Sequence, residues 1–137
     1  MPTDQTWLWM AGAVALGVVV LLAWVVVTKG RPFTSGDVFR ASRWSRGNRL
    51  FPTQVAITKD SVVQYQPQWI GHREEVIHIA HIASVKIATG AILSDIEIET
   101  SGGSDPITCH GHHKSDAVRM KSLIEQYQST YYRNRPV

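Results

Sequence analysis

The chain opens with an apolar stretch that is long enough to cross a lipid bilayer. Residues 7–27 (WLWMAGAVALGVVVLLAWVVV) contain no charged side chain, and tryptophan indoles are their only hydrogen-bonding side-chain groups. At about 1.5 Å per residue, a helix of this length spans roughly 32 Å, close to the ~30 Å hydrocarbon core of a membrane. The pattern predicts one transmembrane helix at 7–27, preceded by a short outside tail at 1–6.

Beyond residue 49 the apolar positions alternate with polar ones, which is typical of half-buried β-strands. Residues 53–66 predict a β-hairpin with its turn at 58–61, where Thr, Lys, Asp and Ser favour a reversal of the chain. Further strands are predicted at 75–79, 84–88, 95–100 and 106–110. In the 95–100 strand, Ile96 and Ile98 are expected to face the core.

From Asp116 onward the hydrophobic period becomes that of a helix. The apolar residues follow each other at intervals of three and four, at Ala117, Met120, Ile124, Tyr127 and Tyr131. Ser115 is the expected N-cap. Strands followed by one terminal helix predict an α+β domain over residues 50–132, whose helix covers one opening of a curved antiparallel sheet. Residues 133–137 form a tail.

Residues 28–49 form a basic segment between the apolar stretch and the domain. Six Lys and Arg residues face one Asp there, a net charge of +5, whereas residues 50–137 hold eight against nine, a net charge of −1. A nucleic-acid-binding domain would need its cations on the folded surface, whereas the excess positive charge here lies in the segment at 28–49. The charge distribution therefore argues against nucleic-acid binding. The positive-inside rule places the N-terminus outside and the domain in the cytoplasm, at a bacterial inner membrane.

The basic segment is interpreted as a membrane-surface contact, and Ser35 is the expected cap of a short interfacial helix within it. The predicted contact residues are Lys29, Arg31, Arg40, Arg43, Trp44, Arg46 and Arg49. The alternatives are a topology signal with no further role and a contact with an acidic protein surface.

Two further features are typical of protein contacts. Ala11 with Ala15, and Ala13 with Gly17, place small residues four apart on the predicted helix, which permits close approach of another helix. A loop near residue 70 holds Trp69 and Ile70, which stay exposed unless a partner covers them. These two residues are therefore candidate partner contacts.

Residues 55–126 resemble the bacterial PH-like domains, which are often attached to membrane helices. The similarity rests on the hairpin opening VAITKDSVV, on the pattern Ile79, Ile82 and Val85, and on a glycine turn and final strand before an amphipathic helix. The resemblance implies a seven-stranded, partly open antiparallel β-barrel capped by the C-terminal helix. It implies binding or assembly rather than catalysis.

Eukaryotic relatives in this family bind inositol phospholipids through a basic loop between strands 1 and 2. Here the corresponding hairpin, at 53–66, offers only Lys59 beside Asp60. Headgroup specificity is therefore not carried over to this chain.

The segment Cys109, His110, Gly111, His112 and His113 is the strongest cluster of candidate metal ligands. His110 and His112 would share a face if the segment were extended. The chain has one cysteine and neither a CxxC nor an HExxH motif, so the sequence predicts no metal or cofactor. Since no group that would orient Cys109 as a nucleophile is identifiable either, it predicts no enzymatic activity.

The leading functional hypothesis is a single-pass membrane protein whose PH-like domain docks to other membrane proteins as an accessory subunit. Respiratory and photosynthetic complexes are the candidate assemblies. The second hypothesis is a sensor of anionic lipid that uses the arginine-rich segment, and the third is a His/Cys metal module. Neither nucleic acid nor a small-molecule substrate is an expected partner.

Overall fold

The computed structural model describes residues 4–29, 33, 36–103 and 105–136. They form two compact units, one ending at Pro32 and one beginning at Phe33, which are described separately. Arg31 and the expected cap Ser35 lie outside the described residues, as do the ends of the two predicted tails.

The first unit is one helix, α1, from Asp4 to Lys29. It is long and apolar enough to cross a membrane, and a signal sequence would have the same character. The helix begins within the predicted outside tail. Lys29 lies in the last turn, where a cation interacts favourably with the partial negative charge of the helix end.

The second unit contains two antiparallel sheets and a C-terminal helix. The first sheet has the order β1 (Asp37–Arg40), β2 (Gln54–Ile57), β3 (Ser61–Pro67) and β4 (His72–His78). The second has the order β5 (Ile82–Thr89), β6 (Leu93–Thr100) and β7 (Ile107–His113). A short 3₁₀ helix, Ile79–His81, joins the sheets, and α2 (Lys114–Arg133) follows β7. This arrangement confirms the predicted PH-like α+β fold.

The core lies between the two sheets and is closed by α2. Ile96 and Ile98 of β6 have no exposed surface, as their alternation with acidic residues predicts. Ala117, Met120 and Ile124 are also fully buried, so the helical period correctly identified the buried face of α2. Each such large aliphatic side chain contributes about 1.5–3 kcal/mol through burial.

Strand β1 lies where the sequence predicted an interfacial helix, and that prediction is wrong. All four of its residues pair with β2, including Phe39 with Val55. Phe39 is buried, and the Arg119 guanidinium lies 5.7 Å from the centre of its ring. Arg119 also forms a 3.2 Å ion pair with Asp37. Contacts with β2 and α2 therefore place this segment in the domain, which starts before residue 50.

Two local predictions also need correction. Strand β4 begins at His72 rather than at residue 75, so the loop before it is shorter than expected. Helix α2 begins at Lys114, and its N-cap position is His113, whose side chain makes no capping hydrogen bond. Ser115 therefore lies within the first turn and is not the cap.

Replacing Ile124 by alanine is expected to destabilise the domain by about 2–5 kcal/mol, because a fully buried aliphatic side chain leaves a cavity. Val118→Ala on the same helix is the matched control, since Val118 is exposed and its loss should change stability by less than about 0.5 kcal/mol. Urea unfolding of the full chain in detergent, followed by near-UV circular dichroism, measures both. Equal losses would contradict the proposed burial of α2.

Candidate functional site

The connection between β1 and β2, residues 41–53, is folded onto the domain. The Ala41 N–H donates to the Thr53 carbonyl at 2.9 Å, which continues the pairing of the two strands into the loop. The Ser42 N–H donates to the Gly111 carbonyl of β7 at 2.7 Å. The part of the basic segment from residue 41 onward is therefore a loop of the domain, which connects the first sheet to the second.

Asn48 holds this loop closed from within. Its side chain is buried, and its Oδ1 accepts the Thr53 N–H at 2.9 Å. Its Nδ2 donates to Ser45 Oγ at 3.2 Å and to the His110 carbonyl at 3.3 Å. One amide thus connects Ser45, Thr53 at the end of the loop, and β7, and its burial is compensated by hydrogen bonds.

A bulge in β7 receives the loop. Ile96 pairs with Cys109 and Ser94 with His112, so β7 has one more residue than β6 over this stretch. Gly111 lies in the bulge with φ of +73°, a conformation that favours glycine. A Cβ at Gly111 would lie 2.1 Å from Ser45, so the close approach of the loop also requires glycine.

Asp95 stabilises the bulge from β6. One carboxylate oxygen accepts the Gly111 N–H at 2.8 Å, and the other lies 3.2 Å from His110 Nδ1. Partial burial opposes ionisation, but the hydrogen bonds from Gly111 and His110 outweigh it and hold the pKa of Asp95 below its usual range. The carboxylate therefore remains charged and bonded at neutral pH.

Small polar residues of the loop form these internal bonds, while its arginines and Trp44 face solvent. Arg43, Arg46 and Arg49 are exposed, and Trp44 is 95% exposed. Among the described residues, none of these arginines forms an ion pair. An unpaired guanidinium offers its full set of donors to an external anion.

The β3–β4 loop, residues 68–71, lies beside this arginine loop. Phe51 and Trp69 meet edge-to-face with ring centres 5.3 Å apart. Trp69 is 63% exposed, and Ile70 at the loop tip is 93% exposed. We call the combined set of both loops the arginine–tryptophan surface, comprising Arg43, Trp44, Arg46, Arg49, Leu50, Trp69 and Ile70.

Two clefts lie between these loops. One, of about 310 Å³, has a lining that is polar and apolar in equal parts and includes Arg46, His110 and Gln66. The other, of about 340 Å³, is mainly apolar and has Leu50 and Trp69 in its lining. The surface therefore combines cationic and apolar recesses at one end of the domain.

The structure thus joins residues that the sequence assigned to two different roles. The arginines were predicted to contact lipid, and Trp69 and Ile70 to contact a protein partner, yet they lie at one end. Leu50 was not predicted, although its position beside Arg49 before an aromatic residue was an available signal. Of the other predicted lipid contacts, Arg40 is exposed on β1 and Lys29 lies in α1.

The identity of the loop between strands 1 and 2 also changes. Because Asp37–Arg40 is the first strand, that loop is residues 41–53 and not the turn at Lys59 and Asp60. The assignment of that loop to the hairpin at 53–66 is therefore wrong, and the loop between β1 and β2 contains Arg43, Arg46 and Arg49.

The His/Cys segment does not converge on a metal site. The bulge turns His110 outward and His112 inward, so the expectation that they share a face is wrong. Cys109 has no exposed surface, and burial raises the pKa of its thiol to about 12. His113 is exposed at the end of β7. Within the described ranges, no three His, Cys, Asp or Glu residues are placed to hold a metal.

Ala11 with Ala15, and Ala13 with Gly17, are exposed on α1. Their proposed role in helix packing stays a prediction.

Comparison with known proteins gives one structural match. A crystal structure of a DUF1696 family protein with a pleckstrin-homology domain from Shewanella loihica PV-4 aligns with a TM-score of 0.47 and 13% sequence identity. The alignment covers 69% of this chain and 99% of that chain. No family model matches the sequence, and no curated protein matches it. The function proposed below is therefore built on the geometry of the domain itself.

Gly111→Ala is expected to destabilise the domain by more than about 1 kcal/mol, because it combines positive-φ strain with a clash against Ser45. Adding Ser45→Gly should restore part of that loss by removing the clash, while leaving the backbone strain. Urea midpoints of the four members of this double-mutant cycle measure the coupling. Simple additivity of the two single changes would contradict the close approach.

Stability is expected to fall as the pH drops through about 6.5, the ordinary value for histidine. His112 is fully buried, and neither ring nitrogen has a hydrogen-bond partner in the described part of the chain. Burial lowers its pKa, although the Asp116 and Asp95 carboxylates and the backbone of Cys109 favour the protonated ring. The unfolded chain therefore takes up the proton first, and protonation favours unfolding.

The measurement is the urea midpoint at pH 7.5 and pH 5.5 for three proteins. His112→Leu should reduce the pH dependence, whereas His113→Gln, an exposed neighbour, should retain it. An unchanged pH dependence in His112→Leu would assign the effect to another group.

Proposed function

We propose that this protein is a non-catalytic, single-pass membrane protein whose PH-like domain docks onto an anionic bilayer surface. The observation that carries the proposal is the arginine–tryptophan surface, which places three exposed arginines beside exposed aromatic and aliphatic tips. The charge asymmetry of the sequence supports a cytoplasmic domain at a bacterial inner membrane.

The chemistry of this surface fits lipid headgroups. Guanidinium groups bind phosphate through paired hydrogen bonds, and each cation near an anionic leaflet contributes about 1 kcal/mol. Trp44 and Trp69 have the amphipathic rings that are enriched at membrane interfaces. Ile70 offers an aliphatic tip that gains from leaving water. Cations and apolar tips on one face therefore reinforce each other at a bilayer.

The length of the chain between the two units supports the same proposal. Only residues 30–36 separate the end of α1 at Lys29 from the start of β1 at Asp37. Even fully extended, such a segment reaches at most about 25 Å. If α1 spans the membrane, the domain is held at the bilayer surface, and this tether raises the effective concentration of lipid at the domain.

A second candidate function is docking to other membrane proteins as an accessory subunit, for example of a respiratory or photosynthetic complex. The specific observation in its favour is the exposure of Trp44, Trp69 and Ile70, because tryptophan is enriched at the centres of protein interfaces. On this reading, the small residues of α1 would pack against a partner helix.

An environment-sensitive fluorophore at Ile70→Cys tests lipid docking in the full chain. The native Cys109 is fully buried, so labelling is directed to the new thiol. In proteoliposomes that contain phosphatidylglycerol, the emission should shift to the blue, and about 0.5 M salt should reverse much of the shift. Neutral phosphatidylcholine should give little shift.

The triple variant Arg43→Gln, Arg46→Gln and Arg49→Gln should abolish the shift in anionic liposomes. Lys121→Gln, Arg133→Gln and Arg135→Gln together remove the same charge from and beyond α2 and should preserve it. An equal shift with both lipids, or one that survives loss of the loop arginines, would exclude the lipid proposal. A shift that appears only in native membranes, independently of anionic lipid, would favour the protein partner.

A further inference from the structure

A larger cleft lies at the other end of the first sheet. The β2–β3 turn, with Lys59 and Asp60, faces the C-terminal part of α2 across a cavity of about 660 Å³. Tyr127, Tyr131 and Arg135 also line the cavity. Its volume falls within the range of about 300–1,000 Å³ that is typical of ligand-binding clefts.

This cleft is separate from the arginine–tryptophan surface. Strand β3 runs from the turn at Lys59 and Asp60 to the loop at 68–71, and it contains seven residues. At about 3.3 Å per residue, the two ends of the strand are about 20 Å apart. The domain is therefore able to contact a membrane at one end and a second ligand at the other.

Two aromatic rings form an apolar wall of the cleft. Tyr127 and Tyr131 are four residues apart on α2 and therefore lie on the same side of the helix. Both are half-buried and pack against the core, which fixes their position. The Tyr131 ring also meets His78 edge-to-face with ring centres 5.7 Å apart. This wall is pre-organised, so a ligand need not order it.

The charges around the rings favour an anion. Lys59 and Arg135 contribute two cations to the lining against the single carboxylate of Asp60. Both cations are exposed, and neither forms an ion pair within the described part of the domain. The C-terminal end of α2 carries partial negative charge, but Arg133 in its last turn offsets that effect.

We infer that this cleft binds an extended acidic segment of a partner protein. A glutamate or aspartate of that segment lies between Lys59 and Arg135, and a neighbouring apolar side chain packs on the tyrosine rings. This site goes beyond the proposed membrane docking, because it gives the opposite end of the domain a protein ligand.

The test uses the full chain in nanodiscs of neutral lipid and a fluorescein-labelled peptide in which glutamate alternates with leucine. Fluorescence anisotropy should show saturable binding that empty nanodiscs do not reproduce. The double variant Lys59→Glu with Arg135→Glu should bind at least about tenfold more weakly, since it replaces two attractive charges by repulsive ones. The same peptide with glutamine for glutamate should also bind more weakly.

Lys114→Glu with Lys121→Glu is the matched control, because it also reverses two charges, at positions on α2 that do not line the cleft. It should leave peptide binding unchanged. Unaltered binding by the Lys59/Arg135 double variant, equal binding of the two peptides, or no saturable binding up to about 1 mM would overturn the inference.

The two sites are distinguished by testing each variant in the assay for the other site. Peptide binding should be retained in the variant that carries Arg43→Gln, Arg46→Gln and Arg49→Gln. The lipid-dependent fluorescence shift should be retained in the Lys59/Arg135 double variant. Loss of peptide binding in the loop variant would assign the peptide to the arginine–tryptophan surface and overturn the inference, whatever the outcome with lipid.

Discussion

The contact between the arginine loop and the bulge of β7 is the constraint on which the candidate surface depends. Gly111 accepts the Ser42 N–H through its carbonyl and donates its own N–H to Asp95. Asn48 adds bonds from inside the loop. Without these bonds, the segment after β1 would be a flexible basic chain. With them, its arginines occupy fixed positions on a folded surface.

The bulge also shows how one backbone feature separates neighbouring side chains by function. An extra residue in β7 places His110 in the lining of the cleft beside Arg46, whereas His112 is buried. A regular strand would have left both on one face, where a metal site would have been a reasonable hypothesis. The same feature positions Gly111 for close contact with Ser45. The histidine-rich segment is therefore best understood as part of the loop anchor.

The domain offers two chemically different ends. One joins cations with exposed aromatic and aliphatic tips, which suits a charged bilayer surface. The other has two tyrosines, Lys59 and Arg135 in the lining of one cleft. We propose that the domain links a membrane and an acidic protein segment. Such a role also agrees with the accessory-subunit hypothesis, because binding at one end leaves the other free.

The sequence by itself determined the apolar helix, six of the seven strands and the buried face of α2, because local hydrophobic periodicity encodes each of them. It did not determine strand β1, whose four residues are held by β2 and by Arg119, partners that are distant in the chain. It also did not predict that the loop with Arg43, Arg46 and Arg49 lies at the same end of the domain as the loop with Trp69 and Ile70. Only the tertiary structure decided that, because the bulge at Gly111 and the Phe51–Trp69 contact bring together loops that no local pattern relates.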